Sequence, residues 1–399
     1  MRPAHLSGHD LVLPPAAAAF VEAGGRDLAL SLASPAQPLA AGRLLRLAGT
    51  QEQPLGLAIA DPENGRLRVM TAPGEPFEEL DAAFFAARVE AALERRRGLG
   101  LVARDTAFRL LNGAGDGLPG LVADVFGGWA VLHAYGRALL PWARALADVL
   151  IGGADLQGVV IKRRERGAAA RGELAQEGHG APPPERLLVR EDALRFEVHL
   201  LGGLNVGLFT DMREQRRTLA RHAAGRVVWN GFSYTGTLSV AAAKAGAAHV
   251  TSVDLSAGVQ RWARDNFRLN GLDPRDGRYR FEAKDAGRAL DDAARDGRRF
   301  DLLLLDPPAF SAARGATFAI DRDYPGLVAK ACRVVPAAGL VWLACNARTS
   351  ALEDLAARGF AAADRSATRL EQAGLPADHP TLAAQPEDGY LQVALYRLD

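Results

Sequence analysis

Short apolar runs broken by Gly, Pro and Asn fill the first part of the chain. Residues 28–32, 44–47, 55–59 and 67–70 read as strands, and Asp61-Pro62-Glu63-Asn64-Gly65 supplies a turn between two of them. The period then changes. Leu80, Phe84, Phe85, Val89 and Leu93 share one helical face, which predicts a helix over 77–97. A turn-rich segment at 109–120 feeds a strand at 121–125, with 129–134 as its hairpin partner. A helix over 139–150 and a strand over 158–162 follow, and the Gly, Ala and Pro of 167–185 predict a flexible loop. From about residue 194, strands at 226–230, 249–253, 279–283, 300–305, 339–344 and 390–398 alternate with helices, notably at 237–245 and 259–270. That alternation predicts a mostly parallel sheet covered on both faces. The fold class expected is α/β, with a β-rich domain over 1–75, a middle α/β domain over 76–193 and a C-terminal α/β domain over 194–399.

A chain of 399 residues exceeds one compact core, and its 48% hydrophobic content can fill several. No apolar run approaches the length of about 18 residues that a membrane span needs. Met1-Arg2-Pro3-Ala4-His5 does not begin a basic-then-apolar leader, so no signal peptide is expected. Cys332 and Cys345 are the two cysteines, and they suit no disulfide framework. A reducing cytoplasm is the expected location. With 48 Lys+Arg against 47 Asp+Glu, the chain is no histone-like binder, although charge concentrated locally still suits a structured RNA. The His and Cys residues show no metal-ligand spacing, so no metal is expected.

Three strand ends carry the candidate chemistry. The first runs into Gly231-Phe232-Ser233-Tyr234-Thr235-Gly236, a small glycine-bearing loop ahead of a helix. The second ends in Asp254, placed to accept from ribose hydroxyls, and the third leads to Asp285, placed to receive an adenine amine. The G-x-G-x-x-G needed for a pyrophosphate is absent, so a cofactor with ribose and adenine but no phosphate fits better. The competing reading is that Gly231 and Gly236 only make a tight strand-to-helix turn and Asp254 only caps a helix.

The fourth strand ends in Asp306-Pro307-Pro308-Ala309-Phe310. Two prolines remove two backbone donors and stiffen the turn. Asp306 and nearby carbonyls become acceptors, and Phe310 offers a ring for a flat base. Together these loops point to S-adenosyl-L-methionine and a methyl transfer to a base held against Pro307, Pro308 and Phe310. Cys345 ends the fifth strand. A thiol there can add to C6 of a pyrimidine and activate C5; equally, an unpaired cysteine is often inert packing. Asp211 is a good helix N-cap, and Arg213 can reach the cofactor's carboxylate. Lys162-Arg163-Arg164-Glu165-Arg166 and Arg213, Arg216, Arg217 and Arg221 can line an RNA path or simply form a solvated face.

In Leu111-Asn112-Gly113, Asp116-Gly117-Leu118-Pro119-Gly120, Gly207-Leu208-Phe209-Thr210-Asp211-Met212-Arg213, Phe232 to Gly236, Asp306 to Phe310 and Asp378-His379-Pro380, the chain resembles the bacterial ribosomal RNA large-subunit cytosine-5 methyltransferase I family. The resemblance covers nearly the whole length. It implies a PUA-like domain, a middle α/β domain and a C-terminal class I (Rossmann-like) methyltransferase domain. It also implies cofactor contacts at Phe232, Ser233, Tyr234, Thr235, Gly236, Asp254 and Asp285, with catalysis near Asp306. The family's Ser-Cys-Ser segment, which carries its proposed nucleophile, reads Ala344-Cys345-Asn346 here, and its Lys-Thr-Gly reads Asn205-Val206-Gly207. The expected partner is RNA, large-subunit rRNA in particular, with no membrane; homodimer formation stays open. Two other readings stay open as well: methylation of a base nitrogen such as guanine's, with Cys345 a bystander, and a non-catalytic RNA-binding or assembly factor.

Overall fold

The computed structural model describes residues 10–164, 175–308, 310–313, 316–346 and 351–399, with backbone alone for 310–313, 316 and 317. The chain divides into two compact units. One comprises residues up to 189 with 199–206 and 377–388; the other comprises 190–198, 207–376 and 389–399. Segments 199–206 and 377–388, assigned by the sequence reading to the C-terminal domain, belong to the first unit. Side chains fix them there: Lys162 Nζ donates to the Gly203 carbonyl at 2.5 Å, and Arg96 Nη2 to the Asp378 carbonyl at 2.7 Å.

The first unit holds two five-stranded sheets. The order in one is Leu11–Val12, Leu44–Ala48, Pro54–Asp61, Arg66–Val69, Asp27–Ala29; in the other it is Gln176–Gly180, Gly158–Arg163, Trp129–Ala134, Leu121–Phe126, Ala107–Asn112. The strand Pro54–Asp61 is buried on both faces. Ala58 and Ala60 enter one apolar cluster, while Leu57 and Ile59 enter the larger one around the helices Ala82–Gly98 and Leu140–Gly153. Asp116 explains the turn-rich motif. Its two oxygens accept from Arg96 at 2.7 Å each, and the Asn112 N–H adds a third bond at 2.7 Å. Gly115 packs so tightly that a Cβ there would lie 1.9 Å from the Pro380 carbonyl oxygen. Two of the motifs behind the family resemblance, around Asp116 and at Asp378-His379-Pro380, are therefore halves of one structural joint.

Three expectations shift in this unit. Residues 28–32 split into the strand Asp27–Ala29 and the helix Leu30–Ala33, because so short a run does not separate the two periods. The helix expected from 77 begins at Ala82, where Asp81 caps it by accepting from the Phe84 N–H at 2.9 Å. Within 167–185, residues Gln176–Gly180 pair antiparallel with Gly158–Arg163. This strand is recruited by its backbone and presents no apolar face. Residues 167–174 of that loop lie outside the described residues.

The second unit is built on one seven-stranded sheet. Its strands are β1 (Val227–Gly231), β2 (His249–Asp254), β3 (Tyr279–Ala283), β4 (Leu302–Leu305), β5 (Leu340–Cys345), β6 (Ala367–Ala373) and β7 (Gln392–Leu398). The order is β3-β2-β1-β4-β5-β7-β6. The first five run parallel; β7 is antiparallel to both β5 and β6. Leu302 to Leu305 are all fully buried, as a central parallel strand requires. The strand order reverses between β1 and β4, and in such sheets the crevice at the carboxyl ends beside that point binds ligands. Among the described residues no helix is long and apolar enough to cross a membrane.

Helix Arg213–Ala223 precedes β1 and departs from both readings of its basic residues, an RNA path and a solvated face. The Arg213 and Arg216 side chains are each 1% exposed. Arg216 Nε and Nη2 both meet the Glu191 carboxylate at 2.5 Å, and Arg213 Nε lies 3.8 Å from it. Arg217 pairs with Asp192, Arg221 with Glu371, and Lys162 is fully buried. These cations mainly serve carboxylates and carbonyls within the fold; Glu165 and Arg166 lie outside the described residues. Asp211 is not the expected N-cap either. It sits in a short turn, Thr210–Met212, and accepts from the Tyr390 hydroxyl at 2.7 Å.

Replacing Arg216 by Met leaves Glu191 as a poorly compensated buried charge. The expected loss is about 3–5 kcal/mol of unfolding free energy, read from the urea midpoint. A loss below about 0.5 kcal/mol contradicts this account of the pair.

Candidate cofactor and base site

β1 delivers the loop Phe232 to Gly236 to the carboxyl edge of the sheet. Phe232 and Tyr234 have φ of 57° and 47°, a region that costs a side-chain-bearing residue about 1–3 kcal/mol. Neighbouring elements hold them there. The Ser233 N–H donates to the Val253 carbonyl at 2.9 Å, and the Tyr234 N–H to Asp254 Oδ2 at 3.1 Å. Thr235 Oγ1 donates to the Gly207 carbonyl at 2.5 Å. From helix Ala257–Leu269, Gln260 Nε2 reaches Ser233 Oγ at 3.0 Å and Asn266 Nδ2 reaches the Thr235 carbonyl at 2.9 Å. Gly236 closes the loop with φ of 74°, and a Cβ there would lie 2.9 Å from Ala263 Cβ. Tyr234 packs between Phe209 and Trp262, and burial pushes its phenol up to about 12.

Asp254 therefore has a structural duty beside any ligand, since its other oxygen accepts from the Ser256 N–H at 3.0 Å. Asp285 caps helix Ala286–Arg295, accepting from the Arg288 N–H at 2.9 Å, and remains exposed at the end of the third strand's loop. Arg213 is buried against Glu191. On the other side of β1, Asp306 is half-buried, Pro307 buried and Pro308 exposed. Burial, reinforced by the charge of Asp211, pushes the Asp306 carboxyl up to about 7. The side chain of Phe310 lies outside the described residues, as does Ala309. Cys345 is fully buried in the apolar cluster of Leu305, Tyr324 and Leu343.

Residues that sequence reasoning passed over complete the picture. Gln260 and Asn266 hold the loop, and their signal was two amides on the otherwise apolar face of an amphipathic helix. Tyr324 carried no local signal. The donor set fits a nucleoside cofactor without phosphate. An acid stands at the end of β2, the loop is rigid, and Asn230 Oδ1 and Gln260 Oε1 lie buried near it without a hydrogen-bond partner among the described residues. No group of three or more His, Cys, Asp or Glu among the described residues could hold a metal ion.

Sheet order, loop and acids together define a class I methyltransferase. The family description of S-adenosylmethionine-dependent methyltransferases matches residues 143–393. The chain is 33% identical over 372 residues to a ribosomal RNA large subunit methyltransferase of Deinococcus radiodurans, covering 90% of this chain and 89% of that one. It is 30% identical over 368 residues to Ribosomal RNA large subunit methyltransferase I of Erwinia tasmaniensis, covering 90% of each. The crystal structure of SMU.776 complexed with SAH matches with a TM-score of 0.87 and 25% identity, over 97% of this chain and 99% of that one. The chain belongs to the S-adenosylmethionine-dependent methyltransferase family that includes the ribosomal RNA large subunit methyltransferases I.

The raised Asp306 carboxyl gives a signed pH effect. Its folded value of about 7 lies above the ordinary 3.8, so protonation favours the folded chain. That contribution is complete below about pH 4 and is lost as pH rises through about 7. Asp306→Asn should be more stable than the parent at pH 8, with the gap closing by pH 4, in urea titrations. An equal gap at both pH values contradicts the assignment.

Proposed function

We propose that this protein methylates C5 of a cytosine in large-subunit ribosomal RNA, with Asp306 and Cys345 acting on the base. The observation that carries the reading is the pairing of a carboxyl poised near pH 7 at the end of β4 with a thiol at the end of the adjacent parallel strand β5. The names of the Deinococcus and Erwinia relatives support the RNA as substrate. Phe232 to Gly236, Asp254 and Asp285 would hold S-adenosyl-L-methionine, which supplies an electrophilic methyl group. The flipped base would rest against Pro307, Pro308 and Phe310.

The acid and the thiol have complementary tasks. Thiolate addition to C6 of cytosine drives electrons toward N3, and a protonated Asp306 can donate a hydrogen bond there. C5 then becomes the nucleophilic carbon. Once it is methylated, loss of the C5 proton allows the C6–S bond to break and returns the thiolate. Because Cys345 is covered in the free protein, entry of the base must open the end of β5.

That burial also favours a second reading, in which Cys345 only packs and a base nitrogen is methylated. Cys345→Ala separates the two. Under the first reading, turnover falls on the order of a thousand-fold or more and RNA containing 5-fluorocytosine is trapped covalently by the parent but not by the variant. Retained turnover, with no trapping by the parent, establishes the second. Calorimetry with S-adenosylmethionine tests the enzyme reading itself: no binding at millimolar cofactor leaves a non-catalytic RNA-binding factor.

A further inference from the structure

Tyr324 is fully buried in the apolar core of the second unit, on helix Ile320–Cys332. Its hydroxyl stands 3.1 Å from the Leu305 carbonyl oxygen and 2.9 Å from that of Ala344. Those two carbonyls immediately precede Asp306 and Cys345. The two residues act together in the reading above.

β4 and β5 run parallel, with Leu305 facing Leu343. Continuing that register sets Asp306 beside Ala344 and Pro307 beside Cys345. Pro307 has no N–H, so the ladder lacks a donor where the reacting groups sit. A phenol has one proton to donate, and here it is shared between two carbonyls on adjacent strands. The start of the helix is anchored as well, since Asp323 Oδ2 accepts from the Ala319 N–H at 2.8 Å. Burial, with Asp306 nearby, raises the Tyr324 phenol well above its ordinary value, so it stays a donor.

We propose that Tyr324 is a positioning residue for methyl transfer: its hydroxyl replaces the ladder donor that Pro307 lacks and thereby fixes Asp306 relative to Cys345. The inference rests on the reading of Asp306 and Cys345 as the groups that act on the base. It needs no contact between Tyr324 and substrate.

Tyr324→Phe keeps the ring and removes the donor. On the full chain, kcat should fall about ten-fold, the loss expected for one buried hydrogen bond. KM for RNA and S-adenosylmethionine affinity should stay within roughly three-fold. The Asp306 ionisation midpoint, followed by carboxyl NMR without RNA, should drop from about 7 toward the ordinary carboxylate range as the loosened strand ends admit water. Adding Pro307→Ala returns an N–H to the ladder and should move that midpoint back. A lowered melting temperature with kcat and midpoint unchanged overturns the proposal, as does a double variant whose midpoint stays where the single variant left it. Should Tyr324→Phe not fold, the double variant alone decides, because it must fold with a midpoint near 7. The NMR readout does not involve Cys345, so failure of the cytosine reading and failure of this one are told apart.

Discussion

The site depends on keeping Phe232 and Tyr234 in left-handed backbone without glycine to make that conformation cheap. Strain of this kind persists only where the surroundings over-determine it. Here β2 supplies the Val253 carbonyl and the Asp254 carboxylate, while the following helix supplies Gln260 and Asn266. The return is a loop that turns sharply at the carboxyl edge and needs no Gly-x-Gly. Asp254 braces the loop through the Tyr234 N–H and its own turn through the Ser256 N–H.

The acids on the far side of β1 follow a different logic. Asp211 is bonded to Tyr390, and its charge adds to burial in keeping Asp306 close to half-protonated near neutrality. Behind them, Glu191 gathers Arg213 and Arg216 into a buried cluster, so the basic sequence around residue 213 shapes the fold rather than its surface.

Much of this was legible in the sequence, and the reasons differ by residue. The strands Trp129–Ala134 and Tyr279–Ala283 were read with their observed ends, because an apolar run in one and an alternating run in the other are set off by Gly and Asp. β6, Ala367–Ala373, was missed because it is an outer strand whose Thr368, Arg369 and Leu370 are all exposed. The strand-end loop at 232–236, Asp254 and Asp306 stand out by local motif alone, which is why they are the candidates. Asp211 was misread as a cap, because its partner Tyr390 lies 179 residues away. The burial of Arg216 was not legible for the same reason, since Glu191 is 25 residues upstream of it and carries no local mark. Local chemistry was readable in the sequence, whereas partnerships across the chain were not.

The most direct test of the central claim is a crystal structure of the protein with S-adenosylhomocysteine. The account predicts the ribose on Asp254, the adenine beside Asp285 and the sulfur at the carboxyl edge facing Asp306. A nucleoside bound away from Phe232 to Gly236, or a crevice between β1 and β4 filled by side chains while the ligand sits elsewhere, would contradict it.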